Sequence, residues 1–251
     1  MGLSKNRIKY IRSLKEKKFR SEHNTFVAEG PKLVLDLLAT CRCQFIAALP
    51  EILTAHPGIK ADEIVEAGES ELKRATLLKT APQVIAVFYR PDNEIGNINL
   101  SEKLSLVLDG VQDPGNVGAI IRIADWFGIE HIICSEDSAD IYNPKTVQAT
   151  MGAIARVKAH YTGIAAFLQN YSHLPICGTF LEGADIYSEP LPGNGFIVMG
   201  SEGRGISSEV AEQINRKLFI PNFPAGRATS ESLNVAAATA IVCAEFRRRV
   251  R

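Results

Sequence analysis

The stretch DGVQDPGNVGAIIR, residues 109–122, follows the apolar run LSLVL and brings an amide, two glycines and one guanidinium into a short space. Asn116 falls near the start of a helical pattern, where its side chain can bind free backbone N–H groups. Arg122, Asp125 and Trp126 share a helix face by their i, i+3 and i+4 spacing. Gly118, four residues before Arg122, leaves open space above the guanidinium. Arg122 is therefore either aimed at a ligand or paired with Asp125 on the surface. A dinucleotide loop is a poor match, because GVQDPGNVG does not supply G-x-G-x-x-G and Pro114 stands where that loop needs close backbone approach.

Two further stretches carry polar groups at strand ends. In FIVMGSEGRGISSE, residues 196–209, Gly200, Gly203 and Gly205 surround one carboxylate, Glu202, which suits close packing against a ligand. It is not a nucleophile elbow, since the residue two before Ser201 is Met199 rather than Gly. In LFIPNFPAGRATSESLNVAAATAIVCAEF, residues 218–246, a loop with Pro and Gly leads to SESLN and an Ala-rich helix that Ser230 or Ser232 can cap. Close helix–helix approach along the Ala face would suit a dimer interface.

The elements that must hold these loops alternate. A basic helix is expected over 5–20, then strands at TFVAEG, CQFIAALP and QVIAVFY with helices at PKLVLDLL and around ESELKRATLL. Residues 91–103 are polar and turn-rich and read as a linker. Strands follow at LSLVLD, HIICS, PICGTF, GFIVMG and KLFIP, with helices over 117–127, 144–153, 162–170, 207–215 and 231–248. Such alternation argues for a mostly parallel sheet covered on both faces, with ligands at the carboxyl ends of its strands.

Bulk properties narrow the class. A chain of 251 residues with 46% hydrophobic side chains can build two modest domains or one large one around a packed core. Its 28 basic and 28 acidic residues cancel, so only local charge can draw a polyanion. Local charge is present: Lys5, Arg7, Lys9, Arg12, Lys15, Lys17, Lys18 and Arg20 stand near the start, and RRRVR ends the chain. Five cysteines, none in a CxxC pair, fit small core residues in a reduced cytoplasmic setting. No secretory signal and no membrane-spanning run is apparent.

Together, DPGNVGAIIRIADWFG, VMGSEGRGIS and IP…SLNVAAATA make residues 104–248 resemble the SpoU family of RNA ribose 2′-O-methyltransferases, within the SPOUT superfamily. The resemblance implies a C-terminal SPOUT-type α/β knot, a deep trefoil on a mostly parallel sheet, over residues 96–251. A smaller N-terminal α/β substrate-binding domain over 1–95 is implied less specifically by FVAEGPKLVLDLL. It also implies a homodimer with S-adenosyl-L-methionine held by Thr179, Phe180, Leu181, Met199, Gly200, Gly203, Ile220 and Leu233. Arg122, Asn116, Glu202, Ser232 and Asn234 match the family's polar motif positions. On that reading Glu202 and Asn116 orient Arg122, while Ser232 and Asn234 hold the loop and the ribose.

The implied reaction needs no metal, because the methyl group is already activated. A fixed cation, Arg122, would ease loss of the ribose proton by stabilising the developing alkoxide. Arg itself is a poor general base, being protonated at any ordinary pH. RNA is the implied partner, ribosomal rather than transfer, with the basic N-terminal helix and the Arg-rich tail on its phosphates. A catalytically inactive RNA-binding protein of the same fold is the alternative. One departure stands out: the loop over 222–231, with Arg227, is longer than is usual in the family.

Overall fold

The computed structural model describes residues 2–91, 98–224, 227 and 230–249. They form two compact units: the described residues of Met1–Asp92 with Asp140–Arg156, and those of Asn93–Ala139 with Val157–Arg251. Part of the linker expected over 91–103 lies outside the described residues.

The first unit opens with α1 (Lys5–Ser13) and α2 (Lys17–His23), not with the single helix expected over 5–20. The break has a physical cause. Arg20 donates to the carbonyls of Leu14 and Lys15 at 2.8 and 2.7 Å, taking up acceptors that the break frees. It also pairs with Asp140 at 2.7 Å. Arg20 is only 2% exposed, so one member of the expected basic face is a structural ion pair instead. Then come β1 (Thr25–Glu29), α3 (Pro31–Leu38), β2 (Cys43–Ala48), α4 (Pro50–Ala55), β3 (Glu63–Glu66), α5 (Glu69–Ala75) and β4 (Val84–Tyr89). The sheet order is β1-β4-β2-β3, with β4 antiparallel to both neighbours and β2 parallel to β3. Asp140–Arg156, which includes α7 (Pro144–Ala149), belongs to this unit, and Tyr142 packs on Phe26 with ring centroids 4.9 Å apart.

The second unit contains β5 (Leu104–Asp109), α6 (Pro114–Trp126), β6 (His131–Cys134), β7 (Lys158–Tyr161), α8 (Ile164–Gln169), β8 (Ile176–Asp185), β9 (Gly195–Gly200), α9 (Ser208–Ala211), β10 (Arg216–Phe219) and α10 (Val235–Arg249). Its six strands run in the order β10-β8-β9-β5-β6-β7, every neighbouring pair parallel. This is the mostly parallel α/β sheet that the sequence predicts. Val107, Ile133, Phe167, Phe196 and Val198 form part of its core. From β5 the chain proceeds one way to β6 and β7, while β9, β8 and β10 lie on the other side. The strand order therefore reverses beside β5, and such a switch opens a crevice at the strand carboxyl ends.

The arginines of the C-terminal tail also meet partners within the fold. Arg247 donates to the carbonyls of Phe127 and Gly128 at 2.7 and 3.0 Å, satisfying acceptors at the end of α6. Arg248 and Arg249 both bind Glu245, holding its carboxyl down at about 2. These three arginines have intrachain partners, Arg248 with its side chain still 63% exposed, and Arg251 lies outside the described residues. The cysteines are all unpaired, and burial pushes Cys43, Cys134 and Cys243 up to about 12 and Cys177 to about 11, so these thiols are poor nucleophiles. Among the described residues no helix is long and apolar enough to cross a membrane.

Candidate functional site

The carboxyl ends of β5 and β9 lie side by side, with Asp109 in register with Gly200. Beyond each strand the chain turns sharply. After β5, Gly110 adopts φ +68°, in the region that favours glycine, and its N–H donates to the Ser135 hydroxyl at 2.9 Å. After β9, Ser201 and Gly205 exchange backbone hydrogen bonds of 3.0 and 2.9 Å, which closes a tight turn around Glu202. Gly200 is required there, because a Cβ would overlap the backbone of Gly205 and Ile206. Asp109 fastens the two loops together by accepting the Ser207 N–H at 2.7 Å.

Asp113, not Asn116, caps α6: its carboxylate accepts the Asn116 N–H at 2.9 Å. The Asn116 side chain is thereby released from capping, and its Nδ2 donates to Glu202 Oε1 at 3.0 Å. The residue at the N-cap of α10 is not one of the expected serines, Ser230 or Ser232. Asn234 stands there, its Oδ1 accepting the N–H groups of Ala236 and Ala237 at 3.0 and 3.2 Å. Its Nδ2 donates to Glu202 Oε1 at 2.6 Å and to Asn116 Oδ1 at 3.0 Å. The Val235 N–H adds a longer bond to Glu202 Oε1 at 3.3 Å. Three chain segments, 118 residues apart at the extremes, thus converge on one carboxylate oxygen.

Other expected residues stand elsewhere. Arg122 is exposed and makes no hydrogen bond or ion pair with any described residue, so Glu202 and Asn116 do not orient it within this chain. The polar donors that reach Glu202 are the two asparagines instead. Ser232 is exposed. Asp109, Ser207 and the Val235 N–H were not singled out in the sequence. Asp109 alone carried a signal, as the acidic end of an otherwise apolar strand.

Beside the cluster lies a cleft of about 220 Å³, lined by Gln112, Asp113, Asn116, Glu202 and Arg204 among others. The segments expected to hold a cofactor have suitable chemistry. β8 is paired with β9 through Gly178, and its pairing with β10 breaks off at Gly178 and resumes at Ala184. Residues 179–183 thus leave the ladder and present backbone donors and acceptors that could read an adenine edge. Leu181 is 74% and Leu233 48% exposed, apolar surface suited to a planar ring, and nothing lies within 4 Å of where a Gly203 Cβ would stand. Met199 is buried, Thr179 donates to the Val198 carbonyl at 3.4 Å, and Phe180 lies under Lys217 with Nζ 5.2 Å from its ring centre. Ile220 is half-buried. Among the described residues no cluster of His, Cys, Asp and Glu could hold a metal ion. The loop over 222–231 falls partly outside the described residues; within it Asn222 Nδ2 donates to the Arg227 carbonyl at 3.0 Å.

The chain is similar to known proteins over most of its length. Residues 103–244 match the model of the SpoU rRNA Methylase family, and residues 5–86 match the MRM3-like substrate binding domain. A TrmH-family protein from Porphyromonas gingivalis superposes with a TM-score of 0.90 at 44% identity, over 99% of this chain and 100% of that one. The AdoMet-bound rRNA methyltransferase of Sinorhizobium meliloti superposes at 0.87 and 28% identity, over 100% and 97%. The 23S rRNA (guanosine(2553)-2′-O)-methyltransferase RlmP of Bacillus subtilis is 29% identical, over 96% of each chain.

Proposed function

The chain belongs to the SpoU rRNA methylase family, and on that premise we propose how its strand-end loops divide the work of methylating RNA. It is an S-adenosylmethionine-dependent RNA ribose 2′-O-methyltransferase, with ribosomal RNA the substrate class of its named relatives. The observation that carries the division of labour is the convergence of Asn116 and Asn234 on Glu202 Oε1.

When bound, the cofactor supplies a methyl group already activated on a sulfonium. Thr179, Phe180 and Leu181 after β8, Met199, Gly200 and Gly203 at the end of β9, and Ile220 and Leu233 flanking the last loop are the residues we assign to hold it. The strand order β10-β8-β9 puts these segments on adjacent strands, which suits the implied trefoil knot. Glu202, Asn116 and Asn234 fix the loops that frame the ribose, and Ser232 contributes a hydroxyl to the same rim. Arg122 stabilises negative charge on the 2′-oxygen as its proton leaves. It has no hydrogen-bond or ion-pair partner among the described residues, and Trp126, one turn on, is 85% exposed. Both features suit a homodimer in which this helix face is covered and the site completed. The first unit is assigned to RNA, through the exposed Lys5, Lys9, Lys15, Lys17 and Lys18. A cytoplasmic setting goes with that partner.

The test is methyl transfer from tritiated S-adenosylmethionine to unmodified bacterial 23S rRNA, followed by digestion to nucleosides. Label is expected on a ribose 2′-oxygen; label on a base would overturn the reaction. Arg122→Ala is expected to lower turnover by roughly a hundredfold, with cofactor affinity by calorimetry retained. Wild-type turnover in that variant would remove Arg122 from the mechanism.

A further inference from the structure

One cation lines the cleft and has no part in the chemistry above. Arg204 sits within the Ser201–Gly205 turn, its backbone N–H donating to the Ser201 hydroxyl at 3.2 Å. The turn that projects Glu202 therefore also fixes the root of Arg204. Its side chain is 76% exposed and, among the described residues, reaches only the Asp137 carboxylate, at 3.9 Å. That distance is too long for a good hydrogen bond, and an exposed pair of this kind is weak and screened by salt. Asp137 is itself well anchored: its Oδ1 accepts the Ser135 hydroxyl at 2.6 Å, and Ser135 in turn accepts the Gly110 N–H. Arg204 is thus parked loosely between its own turn after β9 and the loop that follows β6.

The charge of the cleft gives this placement a purpose. Its charged lining residues are Asp113, Glu202 and Arg204. Without Arg204 the cleft would offer two carboxylates to a polyanion. Of the residues assigned to the cofactor, Gly203 alone lines it, and Thr179, Phe180, Leu181, Met199, Gly200, Ile220 and Leu233 do not, which leaves most of its wall to another ligand. We infer that Arg204 is a positioning residue that takes a phosphate of the RNA strand next to the target nucleotide, exchanging its loose partner Asp137 for that phosphate. The planar guanidinium matches a phosphate through two parallel N–H donors, and its own loop carries Glu202 beside the ribose. The inference rests on the RNA-methylating reading and adds a contact to it.

The full-length protein is assayed with unmodified bacterial 23S rRNA transcript and tritiated S-adenosylmethionine, and transcript affinity is measured in parallel by filter binding. Arg204→Ala is expected to raise KM and Kd for the transcript about tenfold. The slope of log affinity against log salt should fall by about 0.7 to 0.9, the signature of one lost phosphate contact. Cofactor affinity should not change. Arg204→Lys should restore the salt slope but only part of the KM, since an ammonium is a point charge without the fork. Unchanged transcript affinity and slope in Arg204→Ala would overturn the inference. So would weakened cofactor binding with unaltered RNA binding, which would give Arg204 to the cofactor's carboxylate. A wild type that binds the transcript but never methylates ribose sinks the proposed reaction, whereas the affinity contrast still decides Arg204.

Discussion

Glu29 and Glu202 both stand where a strand ends, in different units, and they are built for opposite purposes. Glu29 closes β1 and is 3% exposed. One of its oxygens accepts the Leu77 N–H at 2.9 Å and the other takes the Thr76 hydroxyl. Burial nevertheless pushes its carboxyl above the ordinary range, with those two bonds pulling the other way. Glu202 follows β9 in the open. Three donors crowd its Oε1, while Oε2 accepts from no described residue. A carboxylate satisfied on both oxygens and sealed from water is a latch. One satisfied on a single side, at a cleft, organises its neighbours and keeps capacity for a ligand.

The largest effect should follow from removing the organiser. Glu202→Ala frees Asn116, Asn234 and the Val235 N–H at once, and kcat/KM should fall by roughly a hundredfold or more. Its unfolding midpoint should barely move, because changes at exposed positions are typically within about 0.5 kcal/mol. Glu202→Gln keeps an acceptor oxygen for the two asparagines and should lose less. Steady-state kinetics beside urea unfolding read both quantities. A Glu202→Ala enzyme with wild-type kcat/KM would break the contrast outright.

The alternation of strands and helices, and the three loops at strand ends, were legible because each is written locally: apolar runs, then Gly, Pro, Asn or Ser. What was not legible depended on partners far along the chain. DPGN offers two residues able to cap α6, and Asp113 won, leaving Asn116 for a carboxylate 86 residues away. SESLN offers three, and the bond to Glu202 accompanies capping by Asn234. Arg20 looked like its basic neighbours until Asp140, 120 residues on, claimed it. The short strands β3, EIVE, and β7, KAHY, carry too few residues for periodicity to declare them, and parallel partners complete them. Arg204 was passed over because a lone cation in a glycine turn has no pattern of its own.

The latch gives the smaller effects. Glu29→Ala strands the Leu77 N–H and the Thr76 hydroxyl in a buried place, which costs about 1–3 kcal/mol of stability. Methyl transfer should persist wherever the variant is folded. Glu29→Gln is the finer probe. The amide oxygen can still accept Leu77, and Thr76 can turn to accept from the amide nitrogen, so the latch survives without its charge. The folded carboxyl titrates above its unfolded value of 4.5, so it holds its proton more tightly in the native state. The stability this gives is fully present below that unfolded value and is lost as pH rises through the folded one. Urea midpoints of wild type and Glu29→Gln, measured from about pH 4 to about pH 8, should therefore diverge in favour of the Gln variant as pH rises. Parallel profiles across that range would mean that Glu29 is no more reluctant to ionise than an exposed carboxylate, and the distinction between latch and organiser would rest on Glu202 alone.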